Sequence, residues 1–203
     1  MDRYKKRAQI VYMAQLGLLL AVVVVLQYIG NFIPVVAGIN LTLIPIVVGA
    51  ALLGPMGGLI LGLACGAMTL MTPMAMAIMN YSWIMALLIC FGKTGLAGLA
   101  AGWLYRWIAK KNRHLGIAVA SVATPIINTG VFVGGCVLLL DFFKANPGVL
   151  GFDAIAQNIS AGGFFGMICI AIAPNFIIEF LVNAIASAAI YQVVKVLEKR
   201  LKK

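Results

Sequence analysis

The residue that most strongly suggests chemistry in this sequence is Lys93, a charge inside the otherwise almost entirely apolar stretch Tyr81–Ile108. Counted from Trp83 at 1.5 Å per residue, it lies about 15 Å along a helix, near the middle of a hydrocarbon layer about 30 Å thick. A charge at that depth costs at least about 2.5–3.5 kcal/mol, so it normally faces a partner, a cavity or a ligand. We therefore expect Lys93 to contact a ligand directly or through one water molecule.

Polar side chains recur at helical spacing in the segments that follow. Asn175, Glu179 and Asn183 are four residues apart, which places them on one face of a helix. Glu179 is also the acid at a depth comparable with that of Lys93. The preceding segment carries further polar residues: Ser121, Thr124 and Asn128. Two interpretations stay open: either Lys93 pairs with Glu179 and the amides cross-link helices, or these groups line a site for a polar solute.

The connections between the predicted helices add to this candidate site. The connection Asn31–Asn40 ends beside Thr42, and with Thr72–Asn80 and Asp141–Gly162 it is expected either to cover an outward-facing site or to form loose surface loops. Aromatic residues that a flat ring could stack on are few, and the candidates are Trp83, Tyr81 and Phe132. We predict these substrate-binding residues: Lys93, Asn128, Asn175, Glu179, Asn40, Thr42 and Trp83.

The composition is that of a membrane protein. Hydrophobic residues make up 64% of the 203 residues, charged residues 10%, and the mean hydropathy is +1.09. A soluble domain of this size does not need so much apolar surface. We expect an all-α membrane protein, a single integral membrane domain over residues 1–203, whose first apolar run is too long for a signal peptide. The six predicted transmembrane helices are Ala8–Gly30, Leu41–Leu53, Gly57–Met71, Tyr81–Ile108, Leu115–Leu140 and Gly163–Leu197.

The basic residues predict the orientation of such a bundle. With six helices, nearly all of them fall on one side: before the first helix, between the fourth and fifth, and after the sixth. The positive-inside rule then places both termini in the cytoplasm. Because these residues only flank helices, the net charge of +10 does not indicate nucleic-acid binding.

Signals for catalysis are missing from the sequence. It contains no G-x-x-x-x-G-K-[ST], H-E-x-x-H or G-x-S-x-G string, and its five acidic residues form no paired cluster. We expect no enzyme activity, no metal and no cofactor. The four cysteines lie in apolar segments without a C-x-x-C pair, which predicts buried, unbridged thiols that behave as small hydrophobic residues.

Small residues at four-residue spacing predict where helices approach each other in lipid. Three such rows occur: Gly58, Gly62 and Gly66; Gly98 and Gly102; and Gly130 and Gly134. The first helix differs, because its small residues form one face of an otherwise bulky helix. That face consists of Ala14, Gly17 and Ala21. We expect it to pack either inside the chain or against a partner protein.

Several strings together resemble the substrate-binding S components of energy-coupling factor (ECF) vitamin transporters. The resemblance covers most of the chain, and its best single string is the G-P-x-x-G turn that begins at Gly54. The strings that carry it are Met13–Gly17, Asn40–Pro45, Gly49–Gly58, Gly92–Gly98 and Pro125–Gly130.

The resemblance implies a six-helix protein of a bacterial cell membrane that captures a vitamin from outside. It also implies a complex with a membrane coupling subunit and two cytoplasmic ATPases, and release of the substrate after the S component topples. In the family, a small-residue motif on the first helix contacts the coupling subunit. Here Leu18 interrupts the motif that Ala14 would begin, and Gly17-x-x-x-Ala21 is the nearest match.

The residues favour a substrate with a carboxylate, because Lys93 offers a charge-assisted hydrogen bond. Asn128 and Asn175 suit hydroxyl or amide groups, so pantothenate is the leading candidate, ahead of folate, niacin and biotin. The alternative is a secondary transporter or channel that works alone. It would need an inverted repeat or an ion relay, and neither is evident.

Overall fold

The computed structural model describes residues 2–31, 40–146, 149 and 161–201, and most of these residues are helical. No β-strand occurs among them, which confirms the predicted all-α class. The helices are α1 (Asp2–Asn31), α2 (Leu43–Leu53), α3 (Pro55–Thr69), α4 (Pro73–Tyr81), α5 (Trp83–Ile108), α6 (Arg113–Leu138), α7 (Leu140–Ala145) and α8 (Ala161–Leu201).

Four of these helices contain segments long and apolar enough to cross a membrane: Gln9–Gly30, Trp83–Ile108, Arg113–Leu138 and Ile172–Leu197. The helix α2 has 11 residues, about 16 Å at 1.5 Å per residue, which is short of a bilayer core about 30 Å thick. Helices α3 and α4 pass the same test only as a pair bent by 82°. The described residues therefore contain four to five candidate spans, and six crossings with cytoplasmic termini stay a prediction.

The prediction of a loop at Thr72–Asn80 was wrong, because α4 occupies this segment. Thr72 accepts a hydrogen bond from the backbone N–H of Ala75, and Pro73 occupies the first helical position. A threonine cap followed by proline is a helix start signal, which explains the difference. Part of the predicted loop Asp141–Gly162 is helix α7, and most of the rest lies outside the described residues, as do residues 32–39.

The α3–α5 interface confirms the first two predicted glycine rows. A Cβ atom added to Gly62 would overlap the carbonyl of Thr94, with the Thr94 carbonyl carbon 2.7 Å away, and Gly58 and Gly98 approach each other in the same way. Such close backbone contact is what small residues allow in lipid. The prediction for Gly130 and Gly134 was wrong, because an added Cβ at either position meets no described atom within 4 Å.

The close α3–α5 contact predicts a stability difference between two glycine variants. We expect Gly62→Ala to lower the free energy of unfolding by about 1–3 kcal/mol, since its methyl group has to displace backbone. Gly130→Ala is the matched control, and it should not destabilise the protein, because that position is open and alanine favours the helix more than glycine does. Thermal unfolding of both variants in the same detergent measures the difference. Equal melting temperatures would show that the interface relaxes without cost.

The turn between α2 and α3 lies at the end of the bundle where basic residues of the cytoplasmic loops are predicted. Gly54 has φ +83°, a conformation that side chains rarely adopt, and the Arg106 guanidinium packs against it. At the same end His114 of α6 stacks on Tyr191 of α8, with ring centroids 3.4 Å apart. We call this the basic end. Ser82 and Asn112 cap the N-termini of α5 and α6 and fix where these two helices begin.

Candidate functional site

Lys93 lies ten residues into α5, partly buried, and points its ammonium group at an aromatic ring. Its Nζ is 4.9 Å from the ring centroid of Phe132 on α6, a cation–π contact. Among the described residues no carboxylate lies within ion-pair distance of Lys93, so a direct Lys93–Glu179 pair does not form. The ring offsets part of the desolvation of the ammonium group but supplies no hydrogen-bond acceptor. Lys93 therefore retains its capacity to bind an anion.

Glu179 faces the interior of the bundle. Its exposed fraction is 5%, and those of Asn175 and Asn183 are 5% and 1%, which confirms the predicted inward face of α8. Its Oε1 accepts a hydrogen bond from the backbone N–H of Asn40 at 3.0 Å. Asn128 of α6 lies close to the same carboxylate. The carboxylate thus joins α8 to the chain just before α2.

Two amide oxygens of the inward-facing residues have no donor among the described residues. Oδ1 of Asn128 and Oδ1 of Asn175 are buried and form no hydrogen bond with any described residue. Leaving such an acceptor unpaired costs about 1–3 kcal/mol, so a water molecule or a ligand donor is expected at each. Two further atoms closer to the basic end are also buried and form no hydrogen bond with any described residue: Oγ of Ser121 and Oδ1 of Asn183.

A hydrogen-bonded network connects Asn40 to α1 and α3. The Thr42 hydroxyl donates to Oδ1 of Asn40 and lies 2.9 Å from Sγ of Cys65, which is 3.5 Å from Oε1 of Gln27. Gln27 and Cys65 were missed as site residues. Cys65 was interpreted as a small hydrophobic residue, as its neighbours in sequence suggest. Gln27, a polar residue in the apolar run of α1, was the available signal.

The structure separates one predicted site residue, Trp83, from the rest. Trp83 is 62% exposed and lies ten residues from Lys93 on the same helix, about 15 Å away along the axis. Thr42 is fully buried, and its hydroxyl contacts the predicted site residue Asn40 and Cys65. The predicted residues that the fold does bring together around Glu179 are Asn40, Asn128, Asn175 and Lys93.

The comparison with protein families agrees with this membrane-embedded polar site. The profile of the family described as ECF transporter, substrate-specific component, matches residues 11–191, well over half of the chain. The chain belongs to this family. No curated protein matches it. Members of the family bind small-molecule substrates and associate with an ECF module, so this chain is the substrate-specific component of such a transporter.

The first helix of this S component leaves its small-residue face open. Leu16, Leu19 and Val23 pack towards α2 and α3. The opposite face is exposed, and an added Cβ at Gly17 would meet no described atom within 4 Å. The sequence left open whether this face packs inside the chain or against a partner protein. Packing inside the chain is not observed in the described part. The exposed face includes Ala14, Gly17 and Ala21.

Proposed function

We propose that this S component captures a water-soluble vitamin or vitamin precursor outside the cell for ATP-driven uptake, with pantothenate as the leading candidate. The observation that carries the proposal combines two features of the described residues: Lys93 has an ammonium group without a carboxylate partner among them, and Asn128 and Asn175 have buried amide oxygens without a donor among them. A ligand that supplies one anionic group and several hydroxyl or N–H donors satisfies all three.

The charges of Lys93 and Glu179 determine which end of the ligand lies near Lys93 in the proposed site. A ligand carboxylate is attracted by Lys93 and repelled by an ionised Glu179, so the carboxylate end is assigned to α5. The donor end then lies towards Asn128 and Asn175, whose oxygens accept from hydroxyl or amide groups. Pantothenate has a carboxylate at one end and hydroxyl groups at the other, with an amide between them, which fits this order.

Other vitamins with carboxylates fit the same residues less well. Niacin has no hydroxyl or N–H group for the two amide oxygens. Folate has a large flat ring system, but Trp83 lies about 15 Å along the helix from Lys93, and the Phe132 ring already contacts the Lys93 ammonium group. Biotin has a carboxylate and N–H donors, so it is the closest competitor.

The proposed partners are a membrane coupling subunit and two cytoplasmic ATPases. The open face of α1 with Ala14, Gly17 and Ala21 supports a docking contact, since small residues allow close helix approach in lipid. The basic end supports the orientation in which both termini lie in the cytoplasm of a bacterial cell. The substrate site would then open on the outer side of the cell membrane.

Mass spectrometry of the ligand released from the purified protein tests the proposed substrate. Cells are grown with pantothenate and biotin, the protein is purified in detergent, and the denatured sample is analysed for both compounds. We expect pantothenate in about stoichiometric amount, and its absence from the Lys93→Met variant purified in parallel. Recovery of biotin in place of pantothenate would reject the proposed substrate, and recovery of a cationic compound would reject the assignment of Lys93 to an anion.

A further inference from the structure

A set of buried contacts joins α1 and α3 to the substrate site, and we call it the Asn40 network. Its members are Gln27, Cys65, Thr42, Asn40 and Glu179. Cys65 and Thr42 have exposed fractions of 0%, and Gln27 has 9%. Contacts of 3.5 Å and 2.9 Å connect Gln27 to Cys65 and Cys65 to Thr42. The Thr42 hydroxyl bonds Oδ1 of Asn40, whose backbone N–H donates to Glu179 at 3.0 Å.

The protons available to this network determine which group donates in each contact. A hydroxyl and a thiol each carry one proton. The Thr42 proton is used on Oδ1 of Asn40, so the short contact between Thr42 and Cys65 needs the thiol as its donor. The thiol proton is then shared between two acceptors, the nearer Thr42 oxygen at 2.9 Å and Oε1 of Gln27 at 3.5 Å. Without that thiol, the buried Thr42 oxygen loses its donor, and the hydroxyl is freer to turn away from Asn40.

We propose that Cys65 and Thr42 are positioning residues that hold Asn40 against Glu179. Both side chains are buried, and their polar atoms contact each other and Asn40, so both act through Asn40. Fixing the side-chain oxygen of Asn40 also fixes the direction of its amide group. The consequence for substrate affinity rests on the proposed function, whereas the position of Asn40 does not depend on any ligand.

A second cysteine provides a control for simple packing. Cys136 on α6 is also buried to 0% exposure, but it lies in a hydrophobic cluster with Ile89, Leu139 and Phe143. No hydrogen bond of its thiol occurs among the described residues. Cys136→Ala therefore removes the same atom from the core without removing a polar contact, and Cys65→Ser keeps a donor at the site of the network.

The first experiment measures hydrogen–deuterium exchange of the ligand-free protein, in a peptide that contains Asn40 as an internal residue. We expect Cys65→Ala and Thr42→Val to exchange about fivefold faster at this amide, the factor for loss of one hydrogen bond. Cys65→Ser and Cys136→Ala should match the wild type. Thr42→Val is nearly isosteric, so it decides the matter if Cys65→Ala does not fold.

The second experiment measures pantothenate affinity of the same variants by titration calorimetry. We expect Cys65→Ala to raise the dissociation constant about fivefold or more, with Cys65→Ser within about twofold of the wild type. Unchanged exchange in Cys65→Ala and Thr42→Val would overturn the proposal, and so would an equal increase in Cys136→Ala. If the wild type binds no pantothenate, the proposed substrate fails, while the exchange result still decides the role of the network.

Discussion

Replacement of Lys93 by methionine is expected to raise the dissociation constant of the substrate by about 10- to 150-fold. Methionine keeps an unbranched side chain of similar length and removes the charge, so the helix is retained and the cation–π contact with Phe132 is lost together with the ammonium group. The loss corresponds to about 1.5–3 kcal/mol, the contribution of a hydrogen bond to a charged group. Titration calorimetry with pantothenate on the purified protein measures it.

The control for this variant is Lys111→Met, which removes the same charge from an exposed position in the turn between α5 and α6. It should bind pantothenate like the wild type. Unchanged affinity in a folded Lys93→Met protein would contradict the proposed role and leave Lys93 with a structural one. The cation–π contact with Phe132 would then be the main stabilising interaction of its ammonium group.

The sequence predicted the long helices of this fold more reliably than the short ones. Apolar length alone identified α1, α5, α6 and α8, because a bilayer demands about 20 apolar residues. Helix α4 was missed because its nine residues are too few to cross a bilayer, and only the Thr72–Pro73 start signal indicated a helix there. Glycine spacing predicted the α3–α5 interface correctly but failed on α6, because spacing does not reveal which face of a helix meets another helix.

The candidate site, like the fold, was only partly predictable from the sequence. The four-residue spacing of Asn175, Glu179 and Asn183 predicted a buried face correctly, because that periodicity is local. The partner of Lys93 was not predictable, since it depends on how α5 and α6 are rotated against each other. The contact between Gln27 and Cys65 joins residues 38 positions apart. Nothing in the apolar sequence around either residue indicates that they meet.

A leucine on the small face of α1 is expected to abolish uptake while leaving substrate binding intact. Gly17→Leu and Ala21→Leu place bulk on a face that no described residue of the chain covers, so the isolated protein should fold and bind normally. A partner helix that approaches closely is blocked. A loss of about 2 kcal/mol or more in docking, as for a central interface residue, lowers the affinity for the module by about thirtyfold.

Two measurements on each variant separate the possible roles of this face. Uptake is measured in cells that contain the complete transporter, and binding is measured on the purified S component. Gly134→Leu is the matched control, because it places the same side chain on another open glycine, in α6, and should leave both values unchanged. Loss of binding in the Gly17→Leu protein would mean that the face packs inside the chain. Normal uptake would mean that no partner docks there, and the contact with the coupling subunit would have to lie on another helix.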